Sequence, residues 1–112
     1  MLSTMEFSKD GKIAVLSLEH DKYDPEIDTE GFINYARYIQ GVEVAVFLKE
    51  VDTSTTRVSM RSKDVNVSLV ALHFGGGGHF KASGCTIHKN LAEARVLLLK
   101  ELQQAVMEHN NG

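Results

Sequence analysis

Val42-Glu43-Val44-Ala45-Val46-Phe47-Leu48-Lys49-Glu50-Val51, the turn Asp52-Thr53-Ser54 and the run Thr55-Thr56-Arg57-Val58-Ser59-Met60-Arg61-Ser62 decide how this chain folds. The first run is rich in valine and reads as a strand. The second alternates. Val58 and Met60 point one way, and Arg57, Ser59 and Arg61 point the other, because successive side chains of a strand leave on opposite faces. One face of that strand is apolar and the other cationic.

Working outward, Asn66 to Phe74 spaces Val67, Val70, Ala71 and Phe74 for burial along a short helix. Gly75 to Gly78 follow as a glycine loop, and Cys85-Thr86-Ile87-His88 reads as another strand. Asn90 with Glu93 has capping-box spacing, and Leu91, Ala94, Leu98, Leu102 and Ala105 give the last helix a buried stripe. Upstream, Asp28 or Thr29 caps a helix that runs to about Ile39, with Phe32, Tyr35, Ala36 and Ile39 on one face and Gly41 as its stop. The polar stretch from His20 to Pro25 reads as a loop. Before it, Lys9-Asp10-Gly11-Lys12 signals a hairpin turn leading into a strand from Ile13 to Leu18. The order is β, α, β, β, α, glycine loop, β, α. It predicts an α/β (α+β) fold, with helices packed on a mixed sheet of about five strands. Residues 1–112 are read as one domain.

Composition narrows the function. Among 112 residues, 43% are hydrophobic and 24% charged, and the single cysteine, Cys85, rules out an intrachain disulfide. A lone thiol fits a reducing cytoplasm. No run reaches the roughly 18–20 apolar residues of a membrane span. Met1 to Glu6 lacks the pattern of a signal peptide. The expectation is a soluble cytoplasmic chain. The net charge of −3 argues against indiscriminate nucleic-acid binding, but it is unevenly spread. Residues 1–56 hold 5 Lys/Arg against 11 Asp/Glu, whereas residues 57–89 hold Arg57, Arg61, Lys63, Lys81 and Lys89 against Asp64 alone. A positive island in an acidic chain points to a local anion site.

The second informative stretch is His73-Phe74-Gly75-Gly76-Gly77-Gly78-His79-Phe80-Lys81-Ala82-Ser83-Gly84. Four glycines cost chain entropy. In return they give a backbone without Cβ atoms, whose amide N–H groups an anion can approach. His79 can donate a hydrogen bond to a phosphate oxygen. No Gly-Lys-Ser/Thr follows, so this is not a P-loop, and a strand rather than a helix comes next, so it is not a dinucleotide fingerprint. Arg57, Ser59 and Arg61 supply the complementary chemistry, since guanidinium forks match phosphate oxygens.

Phe74-Gly75-Gly76-Gly77-Gly78-His79, continuing to Ala82-Ser83-Gly84, resembles the glycine-histidine motif of the domain that follows the catalytic domain in DHH-family phosphoesterases. Ser83 stands where that family usually has a second alanine. Ser59-Met60-Arg61-Ser62 resembles the family's serine–hydrophobic–arginine–serine strand, and Asn34 to Arg37 with Gly41 to Phe47 resembles the segment upstream of it in oligoribonucleases that are also phosphatases of 3′-phosphoadenosine 5′-phosphate. The likeness covers about residues 28–106.

The resemblance implies a substrate-binding domain. Gly76, Gly77, Gly78 and His79 would contact a phosphate or terminal nucleotide, with Arg61, Ser59 and Arg37 as further phosphate contacts. It implies short single-stranded RNA or nucleotide phosphates as ligands. It also implies a separate catalytic domain whose Asp-His-His triplet helps to hold two Mn²⁺ ions. This chain has no such triplet, so no catalytic residue, metal ligand or cofactor is assigned to it, and it is expected to be inactive alone. Besides an independent enzyme using a thiol or an unrecognised metal, two other readings stay open. One is a tRNA-binding module like the C-terminal domain of alanyl-tRNA synthetase; the other is a homodimerising domain that binds no phosphate. His73, His79, Cys85 and His88 do not match zinc-finger spacing. Cys85 reads as a buried small hydrophobe, and Phe80 as either core or a base-stacking ring.

Overall fold

The computed structural model describes residues 3–19 and 29–111. The loop predicted from His20 to Pro25 and the cap at Asp28 lie outside them. Among the described residues, the elements in chain order are β1 (Ser3–Phe7), β2 (Ile13–Leu18), α1 (Thr29–Arg37), β3 (Val44–Asp52), β4 (Thr55–Ser62), α2 (Val67–His73), β5 (Gly77–His79), β6 (Ala82–Ile87) and α3 (Leu91–Asn111). The strands form one mixed sheet in the order β1-β2-β3-β4-β6-β5. Only β2 and β3 run parallel, joined through α1, and the other neighbours are antiparallel.

The sheet has six strands rather than about five. The additional one is β5, which lies inside the glycine run that the sequence presents as a loop. Glycine carries no strand preference of its own; pairing with β6 supplies it.

The turn before β2 is as expected. Asp10 accepts hydrogen bonds from Ser8 Oγ (2.6 Å) and the Lys12 N–H (3.1 Å). Those donors hold its carboxyl below the usual range. The stabilisation is present above the ordinary carboxylate pKa and fades as pH falls through the lowered one.

The two faces of the sheet are covered unequally. α2 and α3 cover one face, where Val44, Val46, Leu48, Val58, Met60, Cys85 and Ile87 meet Val67, Val70, Leu98 and Leu102 in the main core. α1 lies on the other face. There Ile33 and Ala36 pack with Ala14, Leu16, Leu18, Ala45 and Phe47, all from β2 and β3. The strands β4, β6 and β5 add nothing to that second cluster.

This arrangement accounts for the two sequence patterns. Val44 to Leu48 are buried on both faces and so do not alternate, as in doubly covered strands. β4 alternates because only its Thr56, Val58, Met60 and Ser62 side is buried. In α1, Tyr35 is 64% exposed and Ile33 takes the inward place expected of it.

Side chains close the ends of the helices. Asn66 Oδ1 accepts the Ser68 N–H at 3.1 Å, and Asn90 Oδ1 accepts the Glu93 N–H at 2.9 Å. The Leu91 N–H donates to Glu50 Oε2 at 2.7 Å, a cap from a distant strand that local sequence does not reveal. We expect Asn66→Ala to lower unfolding free energy by about 1 kcal/mol in urea titrations, the usual cost of losing an N-cap. Among the described residues no helix is long and apolar enough to cross a membrane.

Candidate phosphate-binding face

The strand register aligns the residues singled out above. Ser59 pairs with Gly84, and Gly84 with Gly77. One step along, Arg61 pairs with Ala82, and Ala82 with His79. Directly paired residues share a face. Arg61 and Ser59 also pair with Ala45 and Phe47, which belong to the cluster beneath α1. All of them therefore lie on the α1 side of the sheet, where α1 packs on β3 and approaches β4 but leaves β6 and β5 uncovered. Arg61 and His79 are two strands apart, about 10 Å between backbones.

Gly84, Ala82 and Gly77 form the floor between them, so almost no side chain rises from it. An alanine at Gly77 would meet nothing within 4 Å. Where β5 stops, Arg57, Ser59, Gly76, Gly84, Thr86 and His88 line a cleft of about 560 Å³. Arg37 ends α1 on the same side of the sheet.

The glycines divide into two groups. Gly75, with φ of 81°, is the left-handed residue that ends α2. Its N–H donates to the Leu72 carbonyl and that of Gly76 to the Ala71 carbonyl, the paired bonds of a Schellman motif. Those two amides are committed to the helix and not to a ligand. Gly76 also packs so closely on β6 that a Cβ would stand 2.2 Å from the Gly84 carbonyl oxygen. Gly78, with φ of 145°, approaches Ser83 in the same way. Gly77 has neither constraint.

His79 is exposed at the end of β5 and is held through its backbone. Ser83 Oγ donates to the His79 carbonyl at 2.6 Å. The adjoining turn is tied on both sides, with Val67 N–H donating to Phe80 O and Ser62 N–H to Lys81 O, each at 2.9 Å. Ser83, at the family's alanine position, thus braces this turn. Phe80 is 50% exposed and lines a cleft with Leu69 and His73 beside α2, so it is neither core nor part of the His79 face. Arg61 is half-buried, and its Nη1 donates to the Met60 carbonyl at 2.8 Å, which orients the guanidinium.

Cys85 sits on the opposite, buried face, and burial pushes its thiol up to about 11 from 9.0. At neutral pH it is protonated and a poor nucleophile. Between about pH 9 and 11 the unfolded chain ionises first, so this group withdraws stability as pH rises. A thiol reagent at pH 8 should label the folded chain far more slowly than the urea-unfolded chain; equal rates would place Cys85 at the surface. Among the described residues no group of three His, Cys, Asp or Glu side chains could hold a metal ion.

The DHHA1 domain model matches residues 10–108. This chain is a DHHA1 domain. It is 36% identical over 88 residues to the bifunctional oligoribonuclease and PAP phosphatase NrnA of Thermus thermophilus, covering 78% of this chain and 26% of that protein. It is 35% identical over 74 residues to the Mycoplasma pneumoniae protein of the same name, covering 66% and 23%. The chain therefore spans about a quarter of these relatives. An exopolyphosphatase-related protein from Bacteroides fragilis superposes with a TM-score of 0.72 at 30% identity, over 95% of this chain and 32% of that one. A pGpG-specific phosphodiesterase from Vibrio cholerae shares the fold, with a TM-score of 0.67 at 18% identity over 92% and 35%. The DHHA1 domain seen here is thus of the kind carried by DHH phosphoesterases such as NrnA and exopolyphosphatase-related proteins.

Proposed function

We propose that this DHHA1 domain holds a phosphate of a nucleotide or of short single-stranded RNA on the bare half of its sheet. Gly77 and His79 would line one side of the phosphate, held in place by the close packing of Gly76 and Gly78 on β6, with Arg61, Ser59 and Arg37 on the other. The observation that carries this reading is the pair of rows Ser59–Gly84–Gly77 and Arg61–Ala82–His79. They set cationic and hydrogen-bonding side chains at the margins of a floor without bulk. A phosphate can lie there against backbone, with a guanidinium fork on one side and an imidazole on the other. The relatives' activities toward oligoribonucleotides and PAP support this ligand class.

The domain's contribution is affinity and orientation. Hydrolysis would fall to a separate DHH domain, for which the resemblance implies two Mn²⁺ ions. Calorimetric titration of the chain with 3′-phosphoadenosine 5′-phosphate, and in parallel with adenosine, tests the proposal. The bisphosphate should bind, more weakly as salt rises, and adenosine should not. Equal binding of adenosine would remove phosphate as the recognised group. Far tighter binding of a folded tRNA than of a short oligonucleotide would instead make this a tRNA-binding module.

A further inference from the structure

The end of the sheet beyond Arg61 carries a second group of residues that the first reading leaves unused. Tyr38 follows α1 in a turn, where its N–H donates to the Tyr35 carbonyl at 3.1 Å. Its side chain is 83% exposed and so buries almost nothing in this chain. Lys63 continues the Arg57, Ser59, Arg61 series just past β4, and its N–H donates to the Glu43 carbonyl at 3.0 Å. Lys81 is fixed at the same end through its carbonyl, which accepts the Ser62 N–H at 2.9 Å. Tyr38, Ser62, Lys63 and Lys81 together line a cleft of about 260 Å³. Among the described residues neither lysine is paired with a carboxylate.

An exposed ring beside two ammonium groups that meet no carboxylate among the described residues matches one ligand chemistry: an aromatic base joined to a phosphate. Bases stack on tyrosine whatever their sequence, and lysine meets phosphate as a point charge. Lys63 lies two residues from Arg61, about 7 Å along the strand direction, so this cleft adjoins the Arg61–Ala82–His79 row.

We propose that Tyr38, Lys63 and Lys81 form a second nucleotide subsite. The ring stacks on the base of the nucleotide adjoining the one held at Arg61 and His79, and the ammonium groups bracket its phosphate. The domain then favours a dinucleotide or longer strand over a mononucleotide. This rests on the phosphate-binding reading above.

The test compares dissociation constants of the chain for the dinucleotide pApA and for 3′-phosphoadenosine 5′-phosphate. Tyr38→Ala and the double variant Lys63→Gln/Lys81→Gln should each weaken pApA about tenfold, with less than a twofold effect on the mononucleotide. Tyr38→Phe should bind like the parent, since stacking needs the ring and not the hydroxyl. Equal losses on both ligands, or none on pApA, would overturn the subsite and leave the first reading standing. Failure of the parent chain to bind either ligand would overturn both.

Discussion

Gly76→Ala lowers the unfolding free energy of the domain by about 3 kcal/mol, the upper end of overpacking costs, whereas Gly77→Ala changes it by no more than about 0.5 kcal/mol. The adjacent glycines differ in what surrounds them. A Cβ on Gly76 would stand 2.2 Å from the Gly84 carbonyl oxygen and 2.6 Å from Cys85 Cβ. Neither neighbour is the tip of a flexible side chain, so β5 would have to move off β6. That movement would also strain the Schellman bonds that close α2 on Ala71 and Leu72. A Cβ on Gly77 meets open space and needs no left-handed backbone. Its methyl would instead rise from the floor beside Gly84, so Gly77→Ala should weaken phosphate binding while the fold stands. Urea unfolding and calorimetry on the two variants separate these effects. Destabilisation by Gly77→Ala, with Gly76→Ala neutral, would reverse the roles assigned to them.

Arg61→Ala and His79→Ala each weaken binding of 3′-phosphoadenosine 5′-phosphate by about 1.5–3 kcal/mol, the cost of losing hydrogen bonds to a charged group, or roughly 10- to 100-fold. Both variants remain folded. His79 is exposed, and Arg61 is half-buried on the bare face rather than in either core. Arg61→Lys recovers only part of the loss, because an ammonium keeps the charge but not the fork. Arg61→Ala also makes the affinity less dependent on salt, since it removes a charged phosphate contact. A variant that unfolds while its binding persists in the remaining folded fraction would reassign that residue to the structure.

The alternation of Arg57, Ser59 and Arg61 against Val58 and Met60 is a local property, so β4 and its cationic face are legible in the sequence. The buried faces of α2 and α3 follow the expected spacing, from Val67, Val70 and Ala71 to Ala94, Leu98 and Leu102. What local sequence does not carry is the pairing between distant segments. β6 lies between β4 and β5, and this alone brings Arg61 within two strands of His79. The same long-range pairing turns Gly77–His79 into a strand. The glycine run also conceals two tasks. Gly75 and Gly76 close a helix and Gly77 leaves a floor open, and the difference depends on neighbours in space. Tyr35 is turned outward for a related reason: α1 packs on the sheet through Ile33 and Ala36, a choice set by the strands it meets and not by its own spacing.

The most direct measurement is a backbone-amide NMR titration of the labelled chain with pApA, without added metal. The account predicts shifts gathered at Ser59, Arg61, Gly77, His79 and Gly84, with α3 unmoved from Leu98 to Val106. Shifts confined to the α2 and α3 side, or none at millimolar ligand, would contradict it.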